Sequence, residues 1–257
     1  MLELRNITKV FGLGTVTEST VFTDFSLSVQ KGEFVSVVGS NGSGKTTLLN
    51  LLCGSIAPTA GEVCIGGKVV NRQKDFERYR TIGRVYQDPS LGTCPSLTVY
   101  ENLSLADNKG KRFGLTSGVN KKRLSYYKEQ LATLGLGLED KMNVRMGALS
   151  GGQRQAVALL MATLTPLDVL ILDEHTAALD PRTAEIIMEL TDRIVREKAL
   201  TALMVTHNLR YAAEYGTRLL MLDKGQIVLD VSGEEKKNTT TESILQIFNR
   251  ISIECGN

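Results

Sequence analysis

Short apolar runs alternate along this chain with stretches whose apolar residues recur every three or four positions. Phe34-Val35-Ser36-Val37-Val38 is a β-branched run of the kind buried on both faces of a sheet. It enters a glycine-rich turn, after which residues 46–53 read as a helix. Residues 62–70 read as a hairpin turning at Gly66-Gly67. Val169-Leu170-Ile171-Leu172 and Ala202-Leu203-Met204-Val205 are two more buried strands. Between them residues 181–198 predict a helix, with Asp180 as its cap and Pro181 in its first turn. Residues 219–222 and 227–229 flank Asp223-Lys224-Gly225 and predict a late hairpin. Ile244, Ile247, Phe248 and Ile251 stand at helical spacing and predict a closing amphipathic helix. Strands alternating with helices point to an α/β architecture. Residues 90–164 differ: they show helical patterns and no buried strand, as an inserted helical subdomain would.

Composition narrows the class. The 257 residues are 42% hydrophobic and 23% charged, with a net charge of +2. That is an ordinary globular balance, without a global bias toward nucleic acid or an anionic membrane. No apolar run approaches the roughly 18 residues that span a bilayer. Met1-Leu2-Glu3-Leu4-Arg5 alternates like a strand and lacks a signal peptide's basic and apolar regions. Cys53, Cys64, Cys94 and Cys255 form no CxxC pair. Reduced thiols in a cytoplasmic protein are expected, not a disulfide framework or a zinc site.

Two segments carry chemistry. Gly39-Ser40-Asn41-Gly42-Ser43-Gly44-Lys45-Thr46 has the spacing G-x-x-x-x-G-K-[ST]. Glycines let backbone N–H groups curl around phosphates with no Cβ in the way, and the helix that follows adds its positive dipole end. Lys45 is placed to reach the β- and γ-phosphates, and the Thr46 hydroxyl to ligate Mg²⁺. The second segment is an apolar strand that ends in Asp173-Glu174. A strand delivers its C-terminal residues to the crevice where α/β folds bind ligands. Asp173 there can hold Mg²⁺ through water, and Glu174 can polarise an attacking water as general base. A third segment, Leu149-Ser150-Gly151-Gly152-Gln153, is by itself a capping box, Ser150 to Gln153, opening an apolar helix. Capping does not explain two glycines in a helix's first turn, where they weaken it; a close backbone approach does.

Together these segments, in this order, resemble the ATPase subunits of ABC transporters over essentially the whole chain. The cradle, with Thr47 after it, matches Walker A, and Gln87 in Val85-Tyr86-Gln87-Asp88-Pro89 matches the Q-loop. Residues 149–153 match the family signature, and residues 169–174 match Walker B with its glutamate. Ala178-Leu179-Asp180 matches the D-loop, and His207 the switch histidine. Phe11 stands where the family places an aromatic that stacks on adenine, ahead of a loop, residues 12–18, that is longer than usual. The resemblance implies a P-loop NTPase: a RecA-like α/β core with an antiparallel β subdomain from residues 1–90 and 165–257, and a helical subdomain from 91–164.

It also implies the reaction, ATP hydrolysis with Mg²⁺. Lys45, Thr46 and Asp173 would hold phosphate and metal, with Gln87 near the metal and sensing the γ-phosphate. Glu174 would activate water, kept in line by His207. Two copies would face each other head to tail, so that Ser150, Gly151, Gly152 and Gln153 of one close over ATP held by the other. Further implied partners are a separate transmembrane permease and an extracytoplasmic substrate-binding protein, with this chain peripheral on the inner face of the plasma membrane. Residues 173–181 and 82–89 resemble an importer subgroup associated with tryptophan, tyrosine or related small solutes. An exporter or lipoprotein-release ATPase shares the chemistry and stays open. A chromosome-maintenance ATPase would carry a coiled-coil insertion, and a translation factor of this class a second cassette. His175 replaces the family's usual proline and reads as a local substitution. The basic segments Lys109-Gly110-Lys111-Arg112 and Lys121-Lys122-Arg123 read as a solvated loop.

Overall fold

A computed structural model describes residues 1–111 and 118–254, with side chains to residue 250. Arg112 of the basic segment, the Ile251 side chain and Cys255 lie outside the described residues. In chain order the first elements are β1 (Leu2–Phe11), β2 (Ser19–Val29), β3 (Phe34–Gly39), α1 (Lys45–Cys53), β4 (Ala60–Ile65), β5 (Lys68–Val69) and α2 (Asp75–Arg78). Then come β6 (Ile82–Val85), α3 (Val99–Asp107), α4 (Leu124–Ala132), α5 (Gly151–Ala162), β7 (Val169–Asp173) and α6 (Pro181–Glu197). The chain closes with β8 (Ala202–Val205), α7 (Leu209–Glu214), β9 (Arg218–Asp223), β10 (Gln226–Ser232), α8 (Gly233–Lys237) and α9 (Thr241–Glu254). Contacts divide these elements into two compact units, Met1–Tyr79 with Ala199–Asn257, and Arg80–Lys198.

The first unit holds two sheets. One is antiparallel, in the order β2-β1-β4-β5. Leu2, Leu4 and Ile7 of β1 are buried while Arg5 is exposed, and Leu4 pairs with both Leu27 and Val63. This is the antiparallel β subdomain expected from the family resemblance. The other sheet has β3 between β8 and β9, all parallel, with β10 antiparallel to β9. All six residues of β3 are buried, as the β-branched run predicts. Ser36, the polar residue within it, donates its hydroxyl to the Tyr215 carbonyl at 3.0 Å, so no buried hydroxyl is left unpaired there. Val38, Leu219, Met221, Val231 and Ile244 form a core that seats α9 through Ile247 and Phe248.

In the second unit β6 and β7 pair in parallel. Gly83 of β6 is a matter of space: a Cβ there would stand 2.7 Å from the Ala162 carbonyl at the end of α5. From residue 89 to residue 162 every described element is helical. α6 buries Ile187, Met188, Leu190, Ile194 and Val195 along one stripe. Asp180 caps it, accepting from the Thr183 amide at 3.1 Å, and Pro181 fills its first position. The Thr183 hydroxyl and amide hold the Asp180 carboxyl below the usual aspartate range.

Candidate functional site

The turn from β3 to α1 takes its shape from glycine. Gly42 and Gly44 have φ of +80° and +104°, in the region that L side chains disfavour. A Cβ on Gly44 would meet the Phe22 ring at 2.8 Å, and one on Gly39 the Leu222 carbonyl oxygen at 2.3 Å. The loop is fastened to the β9–β10 turn: Ser40 Oγ donates to Asp223 at 2.9 Å, and the Gly225 amide to the Ser43 carbonyl at 3.1 Å. Lys45 is 6% exposed and its ammonium donates to the Gly39 and Ser40 carbonyls at 2.8 Å each. Asn41 and Thr46 are exposed, and Thr47 is half-buried. Among the described residues no side chain caps α1, which leaves its first amides for a ligand. Ser43 Oγ is buried without a hydrogen-bond partner among the described residues. An orphaned hydroxyl, uncapped amides and a held ammonium together fit a polyphosphate.

The same unit carries His207. Val37 of β3 pairs with Val205 of β8, and the Thr206 amide donates to the Val37 carbonyl at 3.2 Å. His207 and Gly39 therefore each stand two residues past that pair, at the same end of the sheet. Asn208 fixes the turn beyond it by accepting from the Tyr211 amide at 3.1 Å. Phe11 ends β1, 39% exposed, with the Lys9 ammonium 4.7 Å over its ring.

In the second unit, Val85 of β6 pairs with Leu172 of β7, so Gln87 and Glu174 each follow two residues on. Gln87 is exposed, while Asp173 and Glu174 are half-buried. Asp173 accepts from Arg84 Nη2 at 2.6 Å. Tyr86, beside Gln87, gives its carbonyl to Gln155 Nε2 at 2.9 Å, and Gln155 is fully buried on α5. The sequence assigns no site role to Arg84, Gln155 or Asp223.

Glu174 has φ of +48°, unusual for a residue with a Cβ. His175 anchors the turn just after it. Its ring is buried, with Nε2 3.0 Å from Thr191 Oγ1 of α6. The Thr191 hydroxyl donates its own proton to the Ile187 carbonyl at 2.7 Å, so Nε2 carries the imidazole proton. His175 is thus a buried neutral donor, a more specific role than a local substitution. Burial pushes its pKa down from 6.5 to about 4. The unfolded chain binds this proton below pH 6.5 and the folded chain only near pH 4, so stability is full above 6.5 and falls as pH drops between them. By pH 4.5 the loss is expected to reach ~2–3 kcal/mol. Denaturant titrations at pH 7 and 4.5 should show this loss shrink in His175→Leu. An equal loss in both proteins would remove His175 as its source.

The signature opens α5 as a capping box: the Gln153 amide donates to Ser150 Oγ at 3.3 Å, and Gln153 Oε1 accepts from the Ser150 amide at 3.4 Å. Ser150 and Gly151 are exposed, but Gly152 is buried. A Cβ on Gly152 would stand 2.1 Å from Thr183 Cγ2, so the close approach that the second glycine permits is, within this chain, one to α6. The basic segment is less solvated than its sequence suggests. Lys109 donates to the Ile82 carbonyl at 2.7 Å, and burial lowers its pKa to about 8. Lys111 and Arg123 both pair with the buried Asp107. A run of charge does not reveal which of its members finds a partner, because the acceptors come from β6 and α3.

Residues 22–177, more than half of the chain, match the profile of the ABC transporter family. The chain belongs to this family, as an ATP-binding, ATP-hydrolysing subunit. It is 47% identical to a tyrosine transport ATP-binding protein of Clostridioides difficile, over 96% of this chain and 98% of that protein. It is 32% identical to a xylose/arabinose import ATP-binding protein of Sulfolobus acidocaldarius, over 98% and 95% of the two chains. A dimeric ATP-binding cassette in a post-hydrolysis state with ADP and Pi superposes with a TM-score of 0.75 at 33% identity, covering 90% of this chain and 98% of that one. A cassette in its ADP conformation gives a TM-score of 0.78 at 26% identity, covering 100% and 99%.

Proposed function

We propose that two copies of this chain hydrolyse Mg·ATP head to tail and drive the import of a small solute, of the aromatic amino acid class, through a separate membrane permease. The cradle carries the reading: uncapped α1 amides, the orphaned Ser43 hydroxyl and the ammonium of Lys45 fit polyphosphate. Residues 39–47 bind the phosphates and Phe11 stacks on adenine; Thr46, Gln87 and Asp173 would hold Mg²⁺. When bound there, the metal would supply positive charge to offset that developing on the phosphates. Glu174 takes a proton from the attacking water, and His207 keeps that water aligned. Residues 150–153 and Asp180 meet the nucleotide held by the other copy, where the start of α5 presents its dipole. Half-buried Asp173 and Glu174 at the end of β7, and exposed Ser150, support these roles. The solute class rests on the relative named for tyrosine transport, and the direction on relatives named as importers. No helix among the described residues is long and apolar enough to cross a membrane; the chain would sit peripherally on the cytoplasmic face, beneath the permease. An extracytoplasmic substrate-binding protein completes the system.

Complementation tests the pairing. Lys45→Ala spoils the cradle, and Ser150→Arg spoils the signature. Each alone is expected to be inactive, while their mixture forms pairs with one intact composite site and regains hydrolysis. A mixture as inactive as its components would refute the head-to-tail arrangement.

A further inference from the structure

The Arg84 side chain is 8% exposed, and its Nη2 donates to Asp173 Oδ2 at 2.6 Å. The register produces this pair. Arg84 stands opposite Ile171, and Asp173 follows two residues later on the same face of β7. The guanidinium also lies 4.7 Å over the Tyr86 ring, and the Tyr86 carbonyl is held in turn by buried Gln155. Stacking and a rigid planar fork restrict where this cation can go. A partly buried carboxylate needs a counter-charge whenever no metal is near it. Arg84 provides one, and a divalent cation approaching the same carboxylate meets a positive charge already in place.

We propose that Arg84 is a positioning residue for ATP hydrolysis: the resident counter-ion of Asp173, with which Mg²⁺ competes for that carboxylate. The inference rests on the assignment of Asp173 to the metal. In the metal-free chain the pair holds the Asp173 carboxylate in place. On loading, the metal must draw Asp173 away from Arg84 or share it, so Arg84 sets how much metal is needed for the ATP complex.

The test is Mn²⁺ binding to the full chain loaded with ATP, followed by the electron paramagnetic resonance of free Mn²⁺ and backed by thermal melts. Arg84→Met is expected to tighten Mn²⁺ roughly three- to tenfold by removing the competing charge. Its metal-free form is expected to melt below the parent, because Asp173 loses its partner, and to gain more on adding Mn²⁺. Arg84→Lys keeps the charge and should bind near the parental affinity. Should Arg84→Met fail to fold, Arg84→Gln is read in the same way. Mn²⁺ affinity equal to or weaker than the parent's in the neutral variant, or equal tightening in Arg84→Lys, overturns the proposal. Asp173→Asn separates the two levels. If it leaves Mn²⁺ affinity unchanged, the metal assignment of Asp173 fails and this inference with it. If it weakens Mn²⁺ while Arg84→Met does not tighten it, only the role of Arg84 fails.

Discussion

Glu174→Gln is expected to slow phosphate release by about 10²- to 10⁴-fold, the usual contribution of a general base, while ATP still binds. Glutamine keeps the volume and the hydrogen-bonding carbonyl of glutamate but cannot take a proton at neutral pH. The backbone at this position is held in a sparsely populated conformation, φ +48°, between a strand end and the buried His175. That arrangement survives the substitution, since neither the backbone nor His175 changes. Hydrolysis should therefore stall with nucleotide in place. Single-turnover phosphate release measures the rate, and gel filtration with ATP should show the paired species accumulating. Hydrolysis at the parental rate would remove Glu174 from the role of base.

Lys45→Met is expected to weaken ATP binding by about 10- to 100-fold, the scale of one charged hydrogen-bonding group. Lys45 is nearly buried, and its ammonium already spans two carbonyls of its own loop. The cradle therefore loses an internal clamp as well as a phosphate ligand. The two effects separate by nucleotide. A group that reaches both β- and γ-phosphates costs ATP more than ADP, whereas a loosened loop costs both alike. Equilibrium titration with each nucleotide gives the ratio. An ATP affinity equal to the parent's would place the phosphates elsewhere.

Most of what was legible in the sequence came from residues whose physics is local. The β-branched run of β3, the hairpin turns at Gly66-Gly67 and Lys224-Gly225, and the Asp180-Pro181 start of α6 each encode their conformation within a few residues. The cradle was legible for the same reason: its spacing is a backbone shape. β2 is hard to read from the sequence although Phe25, Leu27 and Val29 alternate, because its first half has no clean period. Four-residue β6, with Gly83 inside it, is too short and too glycine-weakened for periodicity to reveal.

The family and the order of its chemical segments were readable along the chain, because they depend on short spacings and on turns that only glycine permits. The side-chain partners came from packing. Arg84 on Asp173, His175 on Thr191, Gln155 on the Tyr86 carbonyl and Gly152 against Thr183 all join residues from different elements. Such pairings follow from strand register and helix packing, which no local pattern of apolar and polar positions specifies.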